Sequence, residues 1–99
     1  MDAAQFEALV QRLIADPHDT DALGHAHDAG QQDPQMYANL LERVGSGASD
    51  MGTAAHWFNE AATVWQSIGE PAHYQRLVLA AAERDPTNGA VIDRAAELY

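Results

Sequence analysis

Residues 58–65 read FNEAATVW and residues 92–99 read IDRAAELY, and the two stretches match across an offset of 34 residues (58 to 92). Each opens on a large apolar residue, carries two alanines at its fourth and fifth places and closes on an aromatic ring. Residues 20–27, TDALGHAH, follow more loosely, with Leu23 and Gly24 in the small-residue places and His27 in the ring place. The offset there is 38 (20 to 58), and the stretch GSGAS at 45–49 can absorb the difference. A second pattern repeats independently. Asp33-Pro34 with Tyr37, Leu40 and Leu41 lines up with Glu70-Pro71 with Tyr74, Leu77 and Val78, and with Asp2 followed by Phe6, Leu9 and Val10. Two kinds of helix therefore alternate. A pair of such helices cannot bury its apolar face alone, so each pair must stack on its neighbours.

The periodicity elsewhere agrees. Phe6, Leu9, Val10 and Leu13 recur three and four apart, twenty of the residues are alanine, and no stretch alternates apolar with polar long enough for a strand. The expected fold class is all-α, an α-solenoid of antiparallel hairpins in one domain spanning 1–99. Breaks at Asp16-Pro17, Gly30, Asp33-Pro34, Gly45-Ser46-Gly47, Gly69-Glu70-Pro71 and Asp85-Pro86 leave six helices. These run from Asp2 to Ala15, Asp19 to Ala29, Pro34 to Val44, Met51 to Ile68, Pro71 to Arg84 and Asn88 to Tyr99. Pro34 and Pro71 suit a first helical position, Asp33 can cap the third helix, and Ser49 or Asp50 the fourth. The GSGAS stretch is expected to be a flexible loop.

Charge restricts the function. Fifteen acids against five bases give a formal charge of −10, the wrong sign for a phosphate backbone or an anionic membrane surface. Nucleic acid and membrane partners are therefore not expected. All five bases are arginines and there is no cysteine, which removes Schiff-base, P-loop, thiol and zinc-thiolate chemistry. The N-terminal segment is amphipathic and acidic, unlike a signal peptide or a membrane span, and the expected location is cytoplasmic.

Several groups invite a chemical reading. Asp21, His25 and Asp28 fall at i, i+4 and i+7, a spacing that permits a divalent metal, but no fourth ligand is identifiable and a solvated polar face accounts for them. Glu70 and His73 form a Glu-x-x-His, of which a di-iron bundle needs two copies. Ser46 has no preceding strand and no base placed to activate it. No enzyme activity, metal or cofactor is expected. Phe58, Trp65, Tyr74 and Tyr99 read as packing between helices, while Trp57 is either a surface anchor or faces a neighbouring helix.

The 34-residue period, with small residues at the helix crossing and a proline after the second helix, is similar to the tetratricopeptide repeat. Phe58 matches the bulky start, Ala61 and Ala62 the Leu-Gly crossing, Trp65 the aromatic, Ala81 the small residue of the second helix and Pro86 the terminal proline. Ile92, Ala95, Ala96 and Tyr99 open a further copy, and Leu23-Gly24-x-x-His27 keeps the Leu-Gly pair. The resemblance implies that the first helix of each pair lines a concave groove. Carried over by position, the groove takes His18, Asp21, His25 and Asp28, then His56, Asn59, Glu60, Thr63 and Gln66, then Asp93, Arg94 and Glu97. Such a lining is polar and mainly acidic, and a protein or peptide of basic or polar character is the expected partner. The groove lacks the lysines that hold C-terminal carboxylates in chaperone-binding relatives. The alternative is a small acidic inhibitor or immunity-type protein that blocks a basic enzyme surface. Phe6, Leu9 and Val10 at one end and Val91, Ile92 and Tyr99 at the other are expected to stay uncovered. They would mark a piece of a longer array or a surface for self-association.

Overall fold

A computed structural model describes residues 2–98, and its helices begin where side chains can satisfy free backbone N–H groups. Asp2 accepts from the Gln5 N–H at 2.8 Å while the Gln5 side chain accepts the Asp2 N–H, closing a capping box over α1 (Ala3–Ala15). Asp19 caps α2 (Thr20–Gln32) through Ala22, Asp33 caps α3 (Pro34–Gly47) through Met36, and Asn88 caps α6 (Gly89–Ala96) through Val91. Of the two candidates for α4 (Met51–Ser67), Asp50 is the cap, accepting the Thr53 N–H at 2.8 Å and the Thr53 hydroxyl at 2.9 Å. Glu70 precedes α5 (Pro71–Arg84) without a side-chain cap bond, and Pro71 takes the first position, where a missing N–H costs nothing. Gly69 ends the previous connection at φ +80°, a conformation that favours glycine. Among the described residues, the fold is all-α with these six helices.

Three helix ends depart from the sequence expectation, two of them through glycine. α2 continues past Gly30, where an added Cβ would lie 2.6 Å from Cγ of Tyr37, so the glycine lets α3 approach. α3 runs through Gly45, Ser46 and Gly47, and the expected flexible loop shrinks to residues 48–50. A Cβ at Gly45 would stand 3.2 Å from Cβ of Trp57 and 3.3 Å from the Phe58 ring, so close packing against α4 offsets a helix penalty of about 1 kcal/mol. Ser46 is thus helical. α6 is shorter than expected and ends at Ala96; Tyr99 lies outside the described residues.

One core joins all six helices. Val10, Leu13, Leu40, Leu41, Val44, Leu77 and Val78 are fully buried, with Ala22, Ala26, Ala38, Ala54, Ala55, Ala61, Ala62 and Ala81 where helices approach most closely. Neighbours in sequence pack together, and α1 also packs on α3. Side chains link helices two apart: Arg43 of α3 makes a two-pronged ion pair with Glu7 of α1, and Arg76 of α5 another with Glu42 of α3, each with a shortest contact of 2.6 Å. On the opposite row Arg94 of α6 reaches Asn59, Thr63 and Gln66 of α4. The molecule measures 38 × 29 × 18 Å, and its thinnest dimension admits two helix layers.

Several expected placements change. Leu9, Val10 and Val91 are buried in the chain's own core and Phe6 is half-buried, so the ends are better covered than expected; Ile92 stays 38% exposed. Trp57 faces α3 and is buried, as are Phe58 and Trp65. Tyr74 is half-buried under Arg94, whose Nε donates to its hydroxyl at 3.1 Å. Gly24, matched to the helix crossing, is exposed with open space where its Cβ would be, and Ala22 and Ala26 supply the buried small residues of α2 instead. No helix of the described chain is long and apolar enough to cross a membrane.

Candidate binding cleft

Between α2, α3 and α4 the surface opens into a cleft of about 570 Å³. Thr53, His56, Trp57 and Glu60 enter it from one face of α4, Tyr37 and Leu41 from α3, Leu23 from α2, and Pro17 and His18 from the α1–α2 connection. Asp50 and Gly52 close the end at the start of α4. The floor is aromatic and aliphatic, with Trp57 and Leu41 buried and Tyr37 and Leu23 half-buried, while His18, Asp50, His56 and Glu60 are exposed at the rim.

Its electrostatics are negative. Asp50 lies below the ordinary aspartate value because the Thr53 N–H and hydroxyl donate to its carboxylate, so it remains ionised. A Cβ at Gly52 would lie 3.3 Å from Oδ2 of Asp50 and 3.6 Å from Oδ2 of Asp85, so two carboxylates flank this glycine. Burial, and then the negative charge of Glu60, push the Tyr37 phenol up, keeping it protonated and able to donate. No arginine lines the cleft, and lysine is absent from the chain. Shape and field together suit a cationic group with an apolar stem.

The twelve groove residues of the sequence analysis do not form one lining. His18, His56 and Glu60 meet in the cleft. Asn59, Thr63 and Gln66 surround Arg94, whose Nη1 lies 2.6 Å from Oδ1 of Asn59 and 3.1 Å from Oγ1 of Thr63. Asp93 and Glu97 are exposed on or next to α6. Asp21 and His25 do not join them: Asp21 lies 4.0 Å from Arg12, and His25 lines a hollow with Gln5, Ala8, Leu9 and Arg12 on the α1 side. Helical rotation carries positions 21 and 25 toward α1, while Leu23 takes the cleft side. Asp28 is exposed, and among the described residues no three His, Asp or Glu side chains converge as a metal site. His27, matched to the buried ring, is exposed and meets the Tyr37 ring edge-on at 6.3 Å between centroids.

The sequence analysis assigned Tyr37, Asp50, Thr53 and Trp57 no part in the groove. Thr53, His56, Trp57 and Glu60 follow i, i+3, i+4 and i+7, so extending the α4 face by one turn from His56 would have found Thr53. His73 belongs to a separate environment, stacked on Trp65 at 4.3 Å between centroids, with Nδ1 3.2 Å from Nη2 of Arg76. Comparison with protein-family models, curated proteins and solved structures finds no match for this chain.

Proposed function

We propose that the chain is a protein-interaction module, a stack of tetratricopeptide-like hairpins whose α2–α3–α4 cleft receives a basic side chain from a peptide or protein, and that it binds without catalysing a reaction. The observation that carries this is the pairing of an aromatic floor, Tyr37 and Trp57, with a carboxylate rim, Asp50 and Glu60, around a cleft that no arginine lines. The helical stack is supported by the spacing of links between like helices, 36 residues from Glu7 to Arg43, 34 from Glu42 to Arg76 and 35 from Asn59 to Arg94. The ion pairs Glu7–Arg43 and Glu42–Arg76 use acids outside the cleft, and Asp50 and Glu60 within it have no ion-pair partner among the described residues. A cleft that unites these acids with aromatic side chains favours a localised docking site over mimicry by the whole acidic surface.

Titration of an arginine-rich peptide, followed by chemical shifts, tests the proposal. The expected result is that resonances of Thr53, His56, Glu60 and the Trp57 indole move first, that Glu60→Gln weakens binding about two- to fivefold, and that raising salt weakens it further. Binding insensitive to Glu60→Gln, with shifts spread over the whole acidic surface, would instead support the inhibitor-type alternative.

A further inference from the structure

Arg94 differs from the arginines that hold the molecule together. Arg12, Arg43 and Arg76 each face a carboxylate. Arg94 is held by neutral acceptors: the Tyr74 hydroxyl on Nε, Asn59 and Thr63 on Nη1 and Gln66 on Nη2, with the guanidinium carbon 5.1 Å from the centre of the Tyr74 ring. Asp93 and Glu97 are near it in sequence, yet among the described residues neither pairs with it. The result is a fixed positive charge with no carboxylate ion-paired to it among the described residues, in a strongly acidic chain.

Its position gives the charge a use. Thr53, His56, Glu60 and Thr63 lie along one face of α4, the first three lining the cleft and the last bonded to Arg94. His56 lies near the middle of the cleft-lining turns, and position 63 near the middle of the Arg94 contacts. Seven residues of helix separate them by about 10 Å. A polyproline-II chain returns to the same side every third residue, after about 9 Å. A cation alone in the cleft would be repelled by Arg94 two turns away, whereas a ligand that also carries a carboxylate there would be attracted by both sites.

We infer that this face of α4 recognises an extended peptide bearing a basic side chain for the cleft and, three residues further on, a carboxylate for Arg94. The inference rests on the cleft being a cation site. It goes further in making the partner dipolar and fixing its spacing.

The test uses the full chain and four blocked peptides, acetylated and amidated: Arg-Pro-Pro-Asp, Arg-Pro-Pro-Asn, Gln-Pro-Pro-Asp and Arg-Pro-Asp. The expected order places Arg-Pro-Pro-Asp about two- to fivefold tighter than its asparagine counterpart, as for one exposed ion pair, with the shorter spacing and the glutamine peptide both weaker. Arg94→Gln should erase the preference for aspartate over asparagine while Arg94→Lys retains part of it. Equal binding of the Asp and Asn peptides to the unsubstituted protein, with cleft resonances still moving, would overturn the dipolar inference and leave the cation site standing. Failure of every arginine peptide to move the cleft resonances would overturn both. Because the peptide comparison needs no substitution, loosening of α6 in the Arg94 variants cannot mask the outcome.

Discussion

At the scale of single residues, three glycines and one tryptophan show how neighbours set the sign of a substitution. In a helix interior alanine is favoured over glycine by about 0.5–1 kcal/mol. Gly24 has open space around its missing Cβ, so Gly24→Ala should raise the thermal midpoint. A Cβ at Gly30 would lie 2.6 Å from Cγ of Tyr37, closer than side chains can pack, so Gly30→Ala should lower stability by about 1–3 kcal/mol and displace the Tyr37 ring that floors the cleft. Paired melts of the two variants check this; the same sign for both would mean that the α2–α3 approach is not as close as described. Gly45 lies between these cases, its neighbours the Trp57 Cβ and Phe58 ring. Trp65 is buried and stacked on His73, and Trp65→Ala should cost about 3–5 kcal/mol, enough to abolish a cooperative transition in a domain of this size. An unchanged melting curve would remove Trp65 from the core.

At the scale of helices, caps and one arginine clamp decide which segments open first. The carboxylates of Asp19 and Asp50 lie below the ordinary aspartate value of 3.8, chiefly because each accepts a backbone N–H, from Ala22 and Thr53 respectively. A lowered folded value means the stabilisation is complete above the unfolded value and is lost as pH falls through the folded one, so the losses belong below about pH 3.8. Asp19→Asn and Asp50→Asn, which keep an acceptor but cannot titrate, should therefore show a shallower fall in melting temperature between pH 4 and pH 2.5 than the unsubstituted chain. α6 is the shortest helix, with eight residues, and Arg94 ties it to both α4 and α5. Arg94→Ala should speed amide exchange across residues 89–96 while leaving α3 and α4 protected. Uniform acceleration across all six helices would show that α6 opens only with the rest.

At the scale of the molecule, the scaffold's ion pairs and the cleft draw on different acids. The two-pronged pairs of Arg43 and Arg76 use Glu7 and Glu42, and with three of the four side chains about half exposed they contribute little stability, about 0.2–1 kcal/mol each. Asp50 and Glu60 at the cleft, by contrast, have no ion-pair partner among the described residues. Binding of a basic peptide should accordingly fall with salt more steeply than stability does. Parallel titrations and melts at low and high ionic strength measure the two slopes, and a steeper loss of stability would place the working charges in the scaffold.

The sequence by itself determined the fold class, the six helices and much of the core. Those features arise from local signals: Asp33 before Pro34, Glu70 before Pro71, and alanines and rings three and four apart, as in Ala61, Ala62 and Trp65. It also placed His18, His56 and Glu60 on a shared surface. Tertiary structure decided the rest. Whether Gly45 ends a helix or continues it depends on Trp57 and Phe58 across the interface, which local propensity cannot include. Asp21 and His25 were assigned to the groove by spacing, but the rotation of α2 against α1 and α3, fixed by burying Ala22 and Ala26, turns them away. The cleft itself has lining from α2, α3, α4 and the α1–α2 connection, so only the packing of separate segments could bring Tyr37, Asp50 and Trp57 together.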